Sequence, residues 1–234
     1  MDRRNFIGLS IAGGMLASFP ALASASSGPK VRKGKKEMAA DLVVAGGGMG
    51  GCAAALAALR NGLSVIMTEE TDWIGGQVTQ QGVPPDEHPW IETHGATALY
   101  RDFRNRIRDY YLRNYPLTEE ARKVKYLNPG NGAVSRLCHE PQVALAVLYE
   151  MLYPFISTGK LSVLLDTRIR GADVAGNRVR SLKAVHLRTK EEIGLTAPYF
   201  VDATELGDLL PLTGTKYRTG AESRSETREL HAPE

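Results

Sequence analysis

An α/β fold built on a parallel sheet is what this 234-residue sequence predicts, on three observations. First, the apolar run Asp41-Leu42-Val43-Val44-Ala45 passes directly into Gly46-Gly47-Gly48-Met49-Gly50-Gly51. Second, an alanine-rich segment over 52–62 leads to another apolar run, 63–68, which ends on Glu69. Third, residues 161–202 read as three short strands separated by turn residues. Short, continuous apolar runs that alternate with a helical segment mark strands buried on both faces, the pattern of a parallel sheet.

Composition narrows the function classes. The chain is 43% hydrophobic and 24% charged, which is ordinary for a globular protein. Its net charge of +3 is too small to argue for a nucleic-acid partner. The cluster Lys30, Arg32, Lys33, Lys35 and Lys36 has no aromatic companions and reads as a solvated basic linker over 26–40. Two cysteines, Cys52 and Cys138, fit neither a metal site nor a disulfide framework, so no metal is expected.

Residues 1–25 have the three-part layout of a cleaved leader: two arginines, a soft apolar stretch and the small-residue sites Ala21-Leu22-Ala23 and Ala23-Ser24-Ala25. The glycine-diluted apolar stretch is too short to be a membrane span. The sequence Arg3-Arg4-Asn5-Phe6-Ile7 resembles a twin-arginine signal and departs from it at Asp2 and Gly8. The resemblance implies export of a folded protein by the twin-arginine translocation machinery. The alternative is a general-secretion leader.

The glycine run satisfies G-x-G-x-x-G at Gly46, Gly48 and Gly51. Gly46 permits a tight turn, Gly48 lets the backbone approach a pyrophosphate, and Gly51 lets the helix pack closely on the strand. Met49 and Gly50 complete the turn, where the helix N-terminus presents free N–H groups to phosphate. Glu69 stands eighteen residues beyond Gly51, where an acid accepts hydrogen bonds from a ribose, and Glu70 is the neighbouring candidate. These features make a Rossmann-like dinucleotide site, and the acid disfavours NADP.

Residues 71–84 separate FAD from NAD. A second glycine pair, Gly75-Gly76, stands soon after the acid, where an NAD-binding domain proceeds to another helix. Here the chain resembles the two-dinucleotide-binding flavoproteins. The stretch TDWIGGQVTQQGVPPDEHPWIE is similar to a bacterial family of FAD-dependent oxidoreductases. The resemblance implies FAD as cofactor, with Gly75, Gly76, Gln77 and Thr79 along the pyrophosphate and ribityl chain. With no cysteine between Cys52 and Cys138, a flavin-linked redox disulfide is excluded.

Residues 96–115 place Leu99, Phe103, Ile107 and Tyr110 on one face of an amphipathic helix, with arginines on the opposite face that read as solvated, the alternative being an anionic-substrate site. Residues 116–135 read as a loop. Ser135-Arg136-Leu137-Cys138-His139-Glu140-Pro141 precedes a helix over 142–155, with the proline in its first turn. Arg136 and His139 are the candidates for substrate polarity or proton transfer. The strands 161–170, 179–188 and 195–202 make a β-meander inserted among the Rossmann elements. By the resemblance its first strand passes the adenine at Arg168 and Ile169. Asp202-Ala203-Thr204-Glu205-Leu206-Gly207-Asp208 matches a family segment that approaches the nucleotide, giving Ala203, Thr204, Gly207 and Asp208 as candidates. Without the resemblance, the segment reads equally as a strand followed by a helix cap at Thr204 or Asp208.

The expected organisation is a leader (1–25), a linker (26–40), a FAD-binding domain (41–213) and a polar tail (214–234) at a truncation point. The expected function is hydride transfer between a small organic substrate and the flavin, with an unspecified electron acceptor. The rival reading is a non-catalytic or truncated dinucleotide-binding module without a complete flavin pocket.

Overall fold

The computed structural model describes residues 28, 30–32 and 36–234. The leader lies outside the described residues. The central sheet holds four parallel strands in the order β5 (Leu161–Leu164), β4 (Val65–Thr68), β3 (Leu42–Ala45) and β9 (Tyr199–Asp202). Both faces of this sheet are covered, and alternation along the strands divides them. Val44 and Met67 join α1 (Met49–Arg60), α2 (Ala98–Asn114) and α4 (Pro141–Ser157) in one core. Val43, Ala45 and Ile66 point the other way, into a core shared with the meander.

The meander is β6 (Thr167–Ala175), β7 (Arg178–His186) and β8 (Glu192–Thr196). It is extended by β2 (Lys36–Ala39) and β1 (Lys30–Arg32) into a second, five-stranded sheet. The segment expected to be a linker therefore contributes strands, with β2 parallel to β8. Met38 supplies the reason, for it is buried against the meander core despite its basic neighbours.

Two expected strands are each divided. The run 161–170 breaks at Leu165-Asp166, where Asp166 takes φ +49°, so that β5 stays in the central sheet and β6 starts the other. The run 195–202 breaks at Ala197-Pro198 between β8 and β9, since proline donates no ladder hydrogen bond. Within the expected loop 116–135 lies a single helical turn, α3 (Glu119–Arg122), capped by Thr118. Two short helices, α5 (Leu209–Thr213) and α6 (Arg224–Thr227), follow β9. Among the described residues no helix is long and apolar enough to cross a membrane.

The helix ends follow local chemistry. Thr97 caps α2 by accepting from the Tyr100 N–H at 3.2 Å, and Pro141 starts α4. Helix α1 closes at Asn61 with Gly62 at φ +87°. Leu182 of the meander has no exposed surface and faces the central sheet. The Leu182→Ala variant is expected to lose about 2–5 kcal/mol of stability, measured by urea unfolding.

Candidate functional site

The glycine loop joins β3 to α1, and the space around each glycine separates two kinds of role. Gly46 has φ +98°, and a Cβ there would stand 2.2 Å from the Ala203 carbonyl oxygen. A Cβ on Gly51 would stand 2.0 Å from the Gly46 carbonyl oxygen. Both glycines are therefore required by backbone lying on backbone. Gly48 and Gly50 differ: a Cβ on Gly50 would meet nothing within 4 Å, and one on Gly48 only Glu205 Oε1 at 3.5 Å. Their backbone is open at the start of α1, whose N-terminus has no side-chain cap and no acid in its first turn. Uncapped N–H groups and the positive end of the helix dipole suit an anion.

The second glycine pair folds onto the first loop. The Gly75 N–H donates to the Gly47 carbonyl at 2.8 Å, and Gly48 bridges Gly75. Gly75 takes φ +106° and is packed against Thr79 and Leu148. The Thr79 hydroxyl is buried and donates to the Ile74 carbonyl at 2.6 Å, so it locks this turn.

Glu69 follows β4 and is buried. Its Oε2 accepts from the Gly47 N–H at 3.0 Å, and its Oε1 accepts from the Thr71 N–H and hydroxyl at 2.9 and 2.8 Å. A carboxylate has about four acceptor sites, so three internal bonds leave capacity for one from a ligand. The strand break at Asp166 places β6 alongside, since the Thr167 N–H donates to the Glu69 carbonyl at 2.8 Å.

A cleft of about 270 Å³ lies here, lined by Gly46, Gly48, Glu69, Glu70, Gly76, Arg168, Ile169, Ala203, Thr204 and Asp208, and also by Thr71, Gln80, Gln81, Thr167 and Glu205. The Arg168 guanidinium is bracketed by Glu70 at 3.3 Å and Asp208 at 3.4 Å. Asp202 shapes the far wall: Oδ1 accepts from the Thr204 N–H and hydroxyl, while Oδ2 accepts from the Leu209 N–H at 2.8 Å. Thr204 in turn accepts from the Asp208 N–H at 2.7 Å, and Gly207 turns the chain at φ +71°.

A larger cavity of about 650 Å³ adjoins this cleft and shares Gly48, Ala203, Thr204 and Glu205 with it. Met49, Gly50 and Gln77 line it, with Leu56, Tyr100, Phe103, Leu148 and Met151 as the main apolar and aromatic wall. Gly51, Gly75, Thr79 and Gly207 line neither space and serve the turns that frame them. Arg136 is exposed and lines neither. His139 also lines neither; burial lowers its pKa, and among the described residues its buried Nε2 has no hydrogen-bond partner.

The arginine face of α2 is a correction to the sequence reading. Arg104 and Arg108 are buried, not solvated. Arg104 pairs with Glu87 and Glu92, Arg108 pairs with Glu92 and donates to the Leu127 carbonyl at 2.9 Å, and Tyr100 donates to Glu87. The partners come from the irregular segment 82–97, so α2 periodicity alone carries no sign of them. This network fixes that segment against the cavity wall that contains Tyr100 and Phe103. Among the described residues no cluster of three metal-ligating side chains occurs.

The Arg104→Ala variant leaves two largely buried carboxylates without their shared cation and is expected to cost about 3–5 kcal/mol. The Arg136→Ala variant at an exposed site is expected to change stability by less than about 0.5 kcal/mol. Paired urea unfolding curves measure both.

Residues 41–233 match the family model of the FAD dependent oxidoreductases. No curated protein matches the chain. Similar solved structures include Mycobacterium smegmatis Sdh1 in complex with UQ1, at 18% identity over 72% of this chain and 34% of that one, with a TM-score of 0.47. THI4 of Thermovibrio ammonificans is 18% identical over 76% of this chain and 64% of that one, with a TM-score of 0.44. L-proline dehydrogenase of P. horikoshii is 16% identical over 74% and 24%, with a TM-score of 0.38. The chain thus spans about a third of the length of Sdh1. With the family match running from the first strand of the glycine motif almost to the last residue, the chain belongs to the FAD-dependent oxidoreductase family, and its cofactor is FAD.

Proposed function

We propose that the smaller cleft holds the nucleotide half of FAD and that the whole enzyme transfers a hydride between a small organic substrate and the flavin. The observation that carries this reading is the pair Gly48 and Gly50, with unobstructed backbone at the uncapped start of α1. In this reading the amides there receive the pyrophosphate, and Glu69, with its remaining lone pair, receives a ribose hydroxyl. Arg168 and Ile169 border the adenine, while Ala203, Thr204 and Asp208 close the opposite side. Bound FAD supplies the redox chemistry. The chain's residues bind and orient it, and the apolar wall of the larger cavity excludes water from the side where a substrate would approach.

We further propose that the leader carries the folded, cofactor-loaded protein through the twin-arginine route. Support comes from Arg3-Arg4 and Phe6 together with a cofactor whose cleft exists only once β3, β4, β6 and β9 have assembled.

The Gly48→Val variant should lose FAD binding in a fluorescence titration, because its side chain fills the open approach to α1. Retention of a full complement of flavin would overturn the loop assignment. The Glu69→Ala variant should bind FAD more weakly by about 1–3 kcal/mol, and unchanged affinity would place the ribose acid elsewhere. For export, Arg3→Lys with Arg4→Lys should leave the precursor in the cytoplasm without reducing flavin content; continued export would favour the general-secretion alternative.

A further inference from the structure

We infer that Glu87, Arg104 and His139 together hold one internal water molecule, which extends the hydrogen-bond chain of the cavity-wall Tyr100 through Glu87 to the His139 imidazole. Three buried side-chain atoms carry the inference: Glu87 Oε2, Arg104 Nε and His139 Nε2 have no hydrogen-bond partner among the described residues. The Arg104 and Glu87 side chains are only 1% and 8% exposed, so bulk solvent does not serve them. Buried polar groups are nearly always paired in folded proteins, and internal water is the usual partner where protein groups do not suffice.

The three atoms come from segments that meet along one face of α2. Arg104, Arg108 and Tyr111 stand at i, i+4 and i+7 and share that face. The two terminal nitrogens of Arg104 are taken by Glu87 and Glu92. Further along the helix the Tyr111 hydroxyl accepts from the Glu140 N–H at 2.8 Å, which fixes the residue beside His139 on the same face. Burial does most to lower the His139 pKa, and the charges of Arg104 and Glu87 also reach the ring, the first lowering the value and the second raising it.

Counting donors shows why a water fits. Arg104 Nε carries one N–H, and Glu87 Oε2 only accepts. His139 Nδ1 lies 3.1 Å from the Glu140 carbonyl oxygen. A carbonyl also only accepts, so Nδ1 carries the ring proton and Nε2 of the neutral imidazole is an acceptor. One donor thus stands against two acceptors, and no pairing among the three gives each its own partner. A water that accepts from Arg104 and donates to Glu87 and His139 completes all three, with the three bonds that internal waters ordinarily make. The rival arrangement, a second proton on His139 donated directly to Glu87, charges a ring that burial keeps neutral. Tyr100 lines the larger cavity and donates to the other oxygen of Glu87. His139, which lines neither space, is thereby joined to the cavity wall.

The test uses the full chain at neutral pH, with water contacts and imidazole nitrogen shifts read by NMR. Cross-peaks from the Arg104 Nε–H and His139 Hε1 to the water frequency are expected, with the sign of a long-held molecule, together with a neutral His139 protonated on Nδ1. The cross-peaks should persist in Tyr100→Phe, which removes a hydroxyl able to relay exchange. Glu87→Gln should shift the His139 titration to lower pH, because an attracting charge is lost. An Arg104 Nε–H without a water contact, a His139 protonated on both nitrogens, cross-peaks that vanish in Tyr100→Phe, or a His139 titration unmoved by Glu87→Gln each overturns the proposal. If a variant does not fold, the wild-type cross-peaks and tautomer decide alone.

Discussion

The site depends on a place where three stretches of backbone touch without side chains between them. The end of β9 at Ala203 lies against Gly46, and the first turn of α1 at Gly51 lies against the Gly46 carbonyl. Any Cβ at either glycine would overlap main-chain atoms, which cannot move aside as the end of a long side chain can. This contact sets the distance between strand and helix and so places the N-terminus of α1 at the junction of the cleft and the larger cavity. The Gly75–Gly76 turn adds a fourth stretch through its hydrogen bond to Gly47. Glu69 then ties the assembly together by accepting from the Gly47 N–H while leading out of the neighbouring strand.

The two-faced central sheet explains why these elements meet. Its strands bury alternate side chains in separate cores, one with the helices and one with the meander. The chain leaves the sheet after β5 and returns at β9, and both crossings are short breaks: one at the left-handed Asp166, the other at Ala197-Pro198. The departure puts Thr167, Arg168 and Ile169 beside Glu69. The return puts Ala203 and Thr204 across from the glycine loop. The cleft is therefore the space between a strand leaving the sheet and a strand rejoining it, floored by the helix start.

Much of this is legible in the sequence, for identifiable reasons. Gly46 and Gly51 lie backbone against backbone, as the tight turn and close helix packing read from their spacing require, and the backbone at Gly48 is open. The meander is visible from turn residues, but its boundaries are not, because 161–170 and 195–202 have continuous strand propensity and nothing in periodicity marks a change of sheet. Met38 is hidden among lysines, so β2 reads as linker. The Arg104 and Arg108 network escapes the sequence because helical periodicity shows which residues share a face, not what covers that face. Its partners Glu87 and Glu92 come from a segment without regular structure. Thr79 and Gly207 carry signals of the right kind, but they hold turns and do not line either space.

Everything functional here turns on whether the glycine scaffold forms a working FAD cleft within the chain itself. The most direct measurement is the visible absorption spectrum of the purified protein, produced without residues 1–25 in FAD-supplemented medium and passed through gel filtration. A yellow protein whose flavin bands co-elute with the folded polypeptide is the expected result. A folded protein that elutes colourless, and stays so after incubation with excess FAD, would contradict it.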